Sequence, residues 1–282
     1  MKIVVTGATG FVGRHLVPEL LAHGHSVLAV AKDMERGKSM PWFEQVEFIS
    51  MDLHDPLLEP ESFLRVPDAL VHLAWPGLPN YKDLFHYEQN LPAAYRFIKK
   101  MVAAGVQQVL VTGTCFEYGM QSGPLSEDLP TLPETSYGLA KDTLRKFLQE
   151  LQKDYPFTLQ WVRLFYMYGE GQNPNSLLAQ LAHAIEQGHE VFNMSSGEQL
   201  RDYLPVEEVV RRLALLVEEP DINGIINCCS GKPISVRRLV EESVKKRKSS
   251  IRLNLGYYPY PDYEPMAFWG DAPKLNTLLE KA

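Results

Sequence analysis

Two rhythms of apolar residues alternate along the first 165 or so positions. Lys2–Thr6 is a short β-branched run that reads as a strand. Beyond a glycine-rich turn, Val12, Leu16 and Leu20 recur at helical spacing through His23. Gly24 then stands where a helix end favours a left-handed residue. Ser26–Val30, Val46–Ser50, Ala69–Leu73 and Gln108–Thr112 read as further strands. Between the last two runs a helical pattern, Tyr81–Ala104, is broken or kinked by Pro92, which has no N–H to give. Ser136–Leu151 is an amphipathic helix, and Thr158–Leu164 returns as a strand.

Apolar strands separated by helices describe a parallel sheet covered on both faces. The fold class expected is α/β, a doubly wound domain with its site at the carboxyl ends of the strands. After about residue 165 the pattern loosens, with prolines at 174, 205, 233, 259, 261, 265 and 273. Residues 1–165 are therefore expected to form the sheet domain and 166–282 mainly a smaller lobe. Segments such as 203–230 are expected to return to the sheet.

Composition narrows the function without naming it. A formal charge of −7 opposes general nucleic-acid binding, which needs a basic face. The one basic run, "KKRK" at 245–248, reads as a solvated helix end. Three cysteines (Cys115, Cys228, Cys229) make neither a disulfide framework nor a zinc motif, so no metal site is expected. The opening apolar run is cut short at Thr6-Gly7, and no stretch nears the ~20 apolar residues of a membrane span. A soluble, cytoplasmic protein is expected.

"VTGATGFVGRHL" places Gly7, Gly10 and Gly13 between the first strand and the first helix, with Phe11 and Val12 among them. Glycines there let the chain turn sharply and let a pyrophosphate approach the free N–H groups of the helix. A dinucleotide is the expected ligand. At the end of the second strand a carboxylate would suit the ribose hydroxyls of NAD, and a cation the 2′-phosphate of NADP. The chain reads "VLAVAKD", with Ala31 in the usual acidic place and Lys32 after it. NADP(H) is the expected preference, held by Lys32 and conceivably Arg14, with NAD(H) possible through Asp33.

Tyr137 and Lys141 stand four apart on one helix and share a face. A nearby ammonium favours the phenolate and brings a phenol towards acid/base range.

The spacing GxxGxxG in "TGATGFVG" resembles the extended branch of the short-chain dehydrogenase/reductase superfamily, the sugar-nucleotide epimerases, dehydratases and reductases. "MDLHD" (51–55), "VHLAW" (71–75), Asn90, "SYGLAK" (136–141), "VRLFYMYGEG" (162–171) and "RDYLPVEEV" (201–209) follow in that branch's order over nearly the whole chain. The resemblance implies a Rossmann sheet. It places Asp52 and Leu53 at the adenine, Leu73 and Ala74 along the ribose and phosphates, and Tyr137 with Lys141 as the catalytic pair. In "TGTCFEYG" it makes Thr114 the hydroxyl that orients the substrate oxygen.

Departures from the branch's patterns narrow the reading. Dehydratases follow that threonine with an aspartate-glutamate pair. Here Cys115 and Phe116 stand instead, as expected substrate-lining residues, so dehydration is not expected. Arg201 would hold a diphosphate. Tyr166, where the branch has asparagine, would line the sugar pocket. The leading expectation is reduction of the 4-keto group of a nucleoside-diphosphate 4-keto-6-deoxy sugar. A 4-epimerase using NAD is the alternative. A non-catalytic dinucleotide sensor is the rival of another class, although such proteins tend to lose the tyrosine-lysine pair kept here. The resemblance also implies a homodimer through helices around 92–104 and 137–151.

Overall fold

The computed structural model of the chain describes residues 1–281. Seven strands form one parallel sheet: β1 (Lys2–Thr6), β2 (Ser26–Ala31), β3 (Glu47–Ser50), β4 (Ala69–His72), β5 (Gln108–Thr114), β6 (Thr158–Leu164) and β7 (Gly224–Cys228). Their order across the sheet is β3-β2-β1-β4-β5-β6-β7. Ile3 pairs with Val27 on one side and Ala69 on the other. The strand order therefore reverses between β1 and β4, which opens a crevice at their carboxyl ends.

Both faces of the sheet are covered, which is why its strands carry few polar positions. Helices α1 (Gly13–Ala22) and α4 (Val206–Glu218) cover one face, where Ile3, Val5, Leu16, Val17, Val209 and Leu213 are buried together. Helices α2 (Leu91–Ala103) and α3 (Ser136–Asp154) cover the other, over Val4, Leu70, Phe97, Ile98, Leu144 and Trp161. All seven residues of β5 are buried.

Two elements differ from the sequence expectation. Strand β5 runs on to Thr114 because Thr112, Gly113 and Thr114 stay in register with Val162, Arg163 and Leu164 of β6. Polar side chains there ended the periodic signal but not the pairing. The helix expected from Tyr81 begins later, with a π-helical turn at His86–Asn90 that feeds α2. Pro92 lies in the first turn of α2 directly after this π-helical turn, so the expected break is a change of hydrogen-bond pattern at the proline.

Beyond β6, short pairs build a lobe at the carboxyl end of the sheet. Tyr166–Tyr168 pairs with Tyr203–Pro205, and Leu200–Arg201 with Ile234–Ser235. Helices Leu177–Glu186 and Val236–Lys246 enclose a separate small core of Leu181, Phe192, Met194, Val240 and Ile251. Between these pieces the chain returns to the sheet as α4, packed on α1, and as β7, paired with β6. Leu139 and Phe147 of α3 stay exposed, on a helix to which the dimer expectation points. Among the described residues no helix is long and apolar enough to cross a membrane.

Candidate active site

The crevice begins at the glycine loop between β1 and α1. Gly7 has φ +69°, and a Cβ there would lie 2.8 Å from the backbone nitrogen of Ala74. A Cβ on Gly13 would overlap the carbonyl of Gly7. Only glycines let this loop fold on itself and against the segment after β4, where Leu73 N–H donates to the Thr6 carbonyl at 3.2 Å. Gly7, Gly10, Phe11, Val12, Gly13, Leu73 and Ala74 are thus brought together at the N-terminus of α1. Backbone cleared of Cβ atoms in front of free helix N–H groups fits a dinucleotide's pyrophosphate.

At the end of β2, Ala31 is the last strand residue and Lys32 points back to Asp52, with Nζ 2.8 Å from its carboxylate. The hydrogen bond from Lys32 holds the Asp52 carboxyl below its ordinary value. Asp33 caps the short helix Met34–Lys38 by accepting from the N–H of Arg36 at 3.0 Å. Arg14 reaches towards Glu170 at 4.0 Å. Leu53 packs against the core beneath. Lys32 and Asp52 do meet here, but as an ion pair that compensates the lysine's charge.

Thr114, Tyr137 and Lys141 converge one strand further along. Thr135 caps α3 by accepting from Gly138 N–H at 3.0 Å, and Tyr137 N–H donates to the carbonyl of Tyr81 at 3.0 Å. These contacts satisfy the open end of the helix and aim Tyr137 at the end of β5. Its phenol stands beside Thr114. Lys141 is 1 % exposed, donates to the carbonyl of Thr112 at 2.8 Å and lies 4.0 Å from the centre of the Trp75 ring.

The electrostatics correct the expectation that Lys141 lowers the tyrosine's pKa. Burial pushes the Tyr137 phenol well above its ordinary value and Tyr81 adds to this, while the neighbouring Thr114 opposes it. Burial also lowers Lys141 to about 7, against the attraction of Glu117. Desolvation penalises both charged forms, so Tyr137 stands protonated before substrate arrives.

Glu117 lies behind this rim. It is fully buried and accepts from Thr114 N–H (2.9 Å), Trp161 Nε1 (3.0 Å) and Arg163 Nε (2.8 Å). Its carboxylate pins the end of β5 to β6.

On the substrate side, Phe116 packs against Tyr81, Tyr137, Tyr166 and Tyr263, with ring centroids 4.7–6.4 Å apart. Cys115 is 5 % exposed, near Tyr81, Tyr137, Tyr166, Arg201 and Glu264, and burial pushes its thiol up. Arg201 is not an open cation either. It is 2 % exposed, its Nε and Nη2 donate to Glu264 at 3.1 and 2.7 Å, and Nη1 donates to the carbonyls of Leu200 and Met266. The ring of Phe268 lies 4.5 Å from the guanidinium and that of Tyr166 5.9 Å.

Sequence reasoning missed four contributors. Trp75 closes "VHLAW", Tyr81 was read as a helix start, and Tyr263 and Glu264 lie in the aromatic and proline-rich tail segment "GYYPYPDYEPMAFWGD" at 256–271. Their residue types were visible, but only the folded chain brings them to Tyr137, Lys141 and Arg201.

Comparison with known proteins agrees with this geometry. A family model described as the NAD dependent epimerase/dehydratase family matches residues 3–229. The chain is similar to a dTDP-6-deoxy-L-talose 4-dehydrogenase (NAD(+)) of Aggregatibacter actinomycetemcomitans, 34% identical over 275 residues, covering 96% of this chain and 99% of that one. It is 27% identical over 305 residues to a UDP-glucose 4-epimerase of Halalkalibacterium halodurans, covering 99% of this chain and 90% of that one. Among solved structures, MoeE5 in complex with UDP-glucuronic acid and NAD superposes with a TM-score of 0.85 and 28% identity, covering 99% of this chain and 93% of that one.

Proposed function

Since the chain belongs to the NAD dependent epimerase/dehydratase family of enzymes, we propose that it interconverts a 4-keto and a 4-hydroxyl group on a nucleoside-diphosphate 6-deoxy sugar, running as a 4-ketoreductase. The observation that carries this reading is the buried, protonated Tyr137 beside Thr114, with buried Lys141 one turn further along the same helix. A nicotinamide dinucleotide bound along the glycine loop supplies the hydride. Thr114 donates a hydrogen bond to the substrate's carbonyl oxygen and orients it. Tyr137 gives its proton to the same oxygen as the alcohol forms. Lys141, fixed by the carbonyl of Thr112 and the face of Trp75, compensates the charge left on the phenol.

Similarity to a dTDP-6-deoxy-L-talose 4-dehydrogenase supports oxidoreduction at C4 over 4-epimerisation, which requires the keto sugar to turn over within the pocket. Assay of a nucleoside-diphosphate 4-keto-6-deoxy sugar with reduced cofactor tests the reading. Consumption of one cofactor per sugar supports it, whereas interconversion of two sugar epimers with no net cofactor turnover would assign the epimerase.

NAD(H) is the cofactor this reading takes. The expected NADP(H) preference needed a free cation, and Lys32 is engaged by Asp52. NADH should therefore give the higher kcat/KM, and Lys32→Ala should change the NADH-to-NADPH ratio little. A preference for NADPH that collapses in Lys32→Ala would restore the original expectation.

Arg201 is assigned to the substrate's diphosphate, with Glu264 holding the guanidinium until the anion takes its place. A charge-assisted contact of this kind contributes about 1.5–3 kcal/mol, or roughly tenfold to over a hundredfold in affinity. Arg201→Ala should weaken the nucleotide sugar by that factor while leaving turnover of a simple ketone unchanged. Glu264→Gln, which removes the competing charge, should tighten the nucleotide sugar. Equal losses on both substrates in Arg201→Ala would make the arginine a support of the fold.

A further inference from the structure

At the amino ends of the strands, far along the sheet from the crevice, two imidazoles converge on one carboxylate. His23 is the last-turn cap of α1, His25 lies just before β2, and Glu218 ends α4. His23 Nδ1 and His25 Nε2 lie 3.0 and 2.8 Å from the same oxygen of Glu218. The three donor atoms all fall within 4.8 Å of one another. We propose that His23, His25 and Glu218 bind one divalent transition-metal ion of the zinc class.

The backbone holds the two rings together before any ion arrives. Gly24, with φ +80°, turns the chain between them, while the N–H groups of Gly24 and His25 donate back to Leu21 and Leu20. Glu218 comes from a second helix packed against α1, so tertiary packing fixes the third ligand. Tetrahedral zinc with ligand bonds near 2.0–2.1 Å separates its ligand atoms by roughly 3.3 Å. The observed 2.8 and 3.0 Å separations need open by only a few tenths of an ångström, and the two ring nitrogens, within 4.8 Å of each other, have to settle at a similar spacing. Two imidazoles and one carboxylate suit zinc, cobalt, nickel or copper, and suit magnesium or calcium poorly.

The surroundings supply what a ligating His23 requires, whereas His25 Nδ1 lies 3.5 Å from the amino group of Met1. To bind through Nδ1, neutral His23 carries its proton on Nε2, and Glu19 lies 3.5 Å from that nitrogen to accept it. A carboxylate behind the ring fixes both tautomer and orientation. The Glu218 side chain is about a third exposed and His23 about a quarter, which leaves a face for the ion to enter and for water as fourth ligand. The ion would clamp α1, β2 and α4 together and take no part in turnover.

The test is calorimetric titration of Zn²⁺ into untagged, metal-free protein, with Mg²⁺ as control. One zinc per chain, no competition from Mg²⁺, and a melting midpoint several degrees higher are expected. Cobalt in place of zinc should give the intense visible bands of a tetrahedral site. His23→Asn and His25→Gln keep a hydrogen-bond donor for Glu218 but offer no imidazole, and each should abolish the stoichiometric binding and the cobalt bands. Glu19→Gln should weaken zinc by about tenfold. Unchanged binding in both histidine variants, or no stoichiometric zinc in the parent protein, overturns the proposal.

Discussion

Tyr137→Phe is expected to lower turnover of the nucleotide sugar by about 10²–10⁴-fold, the span that a positioned proton donor contributes. The substitution removes one oxygen from a side chain only 7 % exposed, and the ring still fills the space between Tyr81, Phe116 and Trp75. Folding and dinucleotide affinity should therefore stay near those of the parent protein. KM should change little if the phenol's hydrogen bond gains strength mainly in the transition state. Because burial holds the phenol protonated in the free enzyme, reduction draws on the form already present. Steady-state assays of kcat alongside fluorescence titration of the dinucleotide separate these effects. Retention of near-parental kcat would remove Tyr137 from the chemistry, and with it the proposed mechanism.

The second large effect concerns stability. Glu117→Ala is expected to cost about 3–5 kcal/mol, the usual consequence of stripping one partner from a buried ion pair. Arg163, fully buried, would lose its counter-charge, and Trp161 Nε1 and the N–H of Thr114 would lose their acceptor. Against a total stability of about 5–15 kcal/mol that is a large share. Glu117→Gln should cost less, since its amide oxygen still accepts from Thr114 and Trp161. Urea unfolding followed by circular dichroism measures both. A loss below about 1 kcal/mol for the alanine variant would show that neighbouring groups or water replace the carboxylate, and that Glu117 does not hold the end of β5.

The sequence by itself determined the parts of this protein governed by local rules. A strand buried on both faces has to be apolar, so β1, β2, β4, β5 and β6 announced themselves. A helix one face of which packs on that sheet has to repeat its apolar residues, so α1 and α3 did the same. The glycine loop was readable because close backbone approach tolerates no Cβ at Gly7 or Gly13. Tyr137 and Lys141 were readable because a four-residue spacing puts two side chains on one helical face whatever the rest of the chain does.

Charge and exposure belong to the tertiary structure. Lys32 looked like a free cation until folding set Asp52, from the end of another strand, 2.8 Å away. Arg201 looked open until the tail laid Glu264 against it, 63 positions along the chain. The shift of Tyr137 has the same origin, since desolvation comes from every neighbour at once and not from the helix alone. His23 and His25 are close in the sequence, but Glu218, nearly two hundred positions away, makes them a site. Such pairings depend on which surfaces meet, and local periodicity carries no information about that.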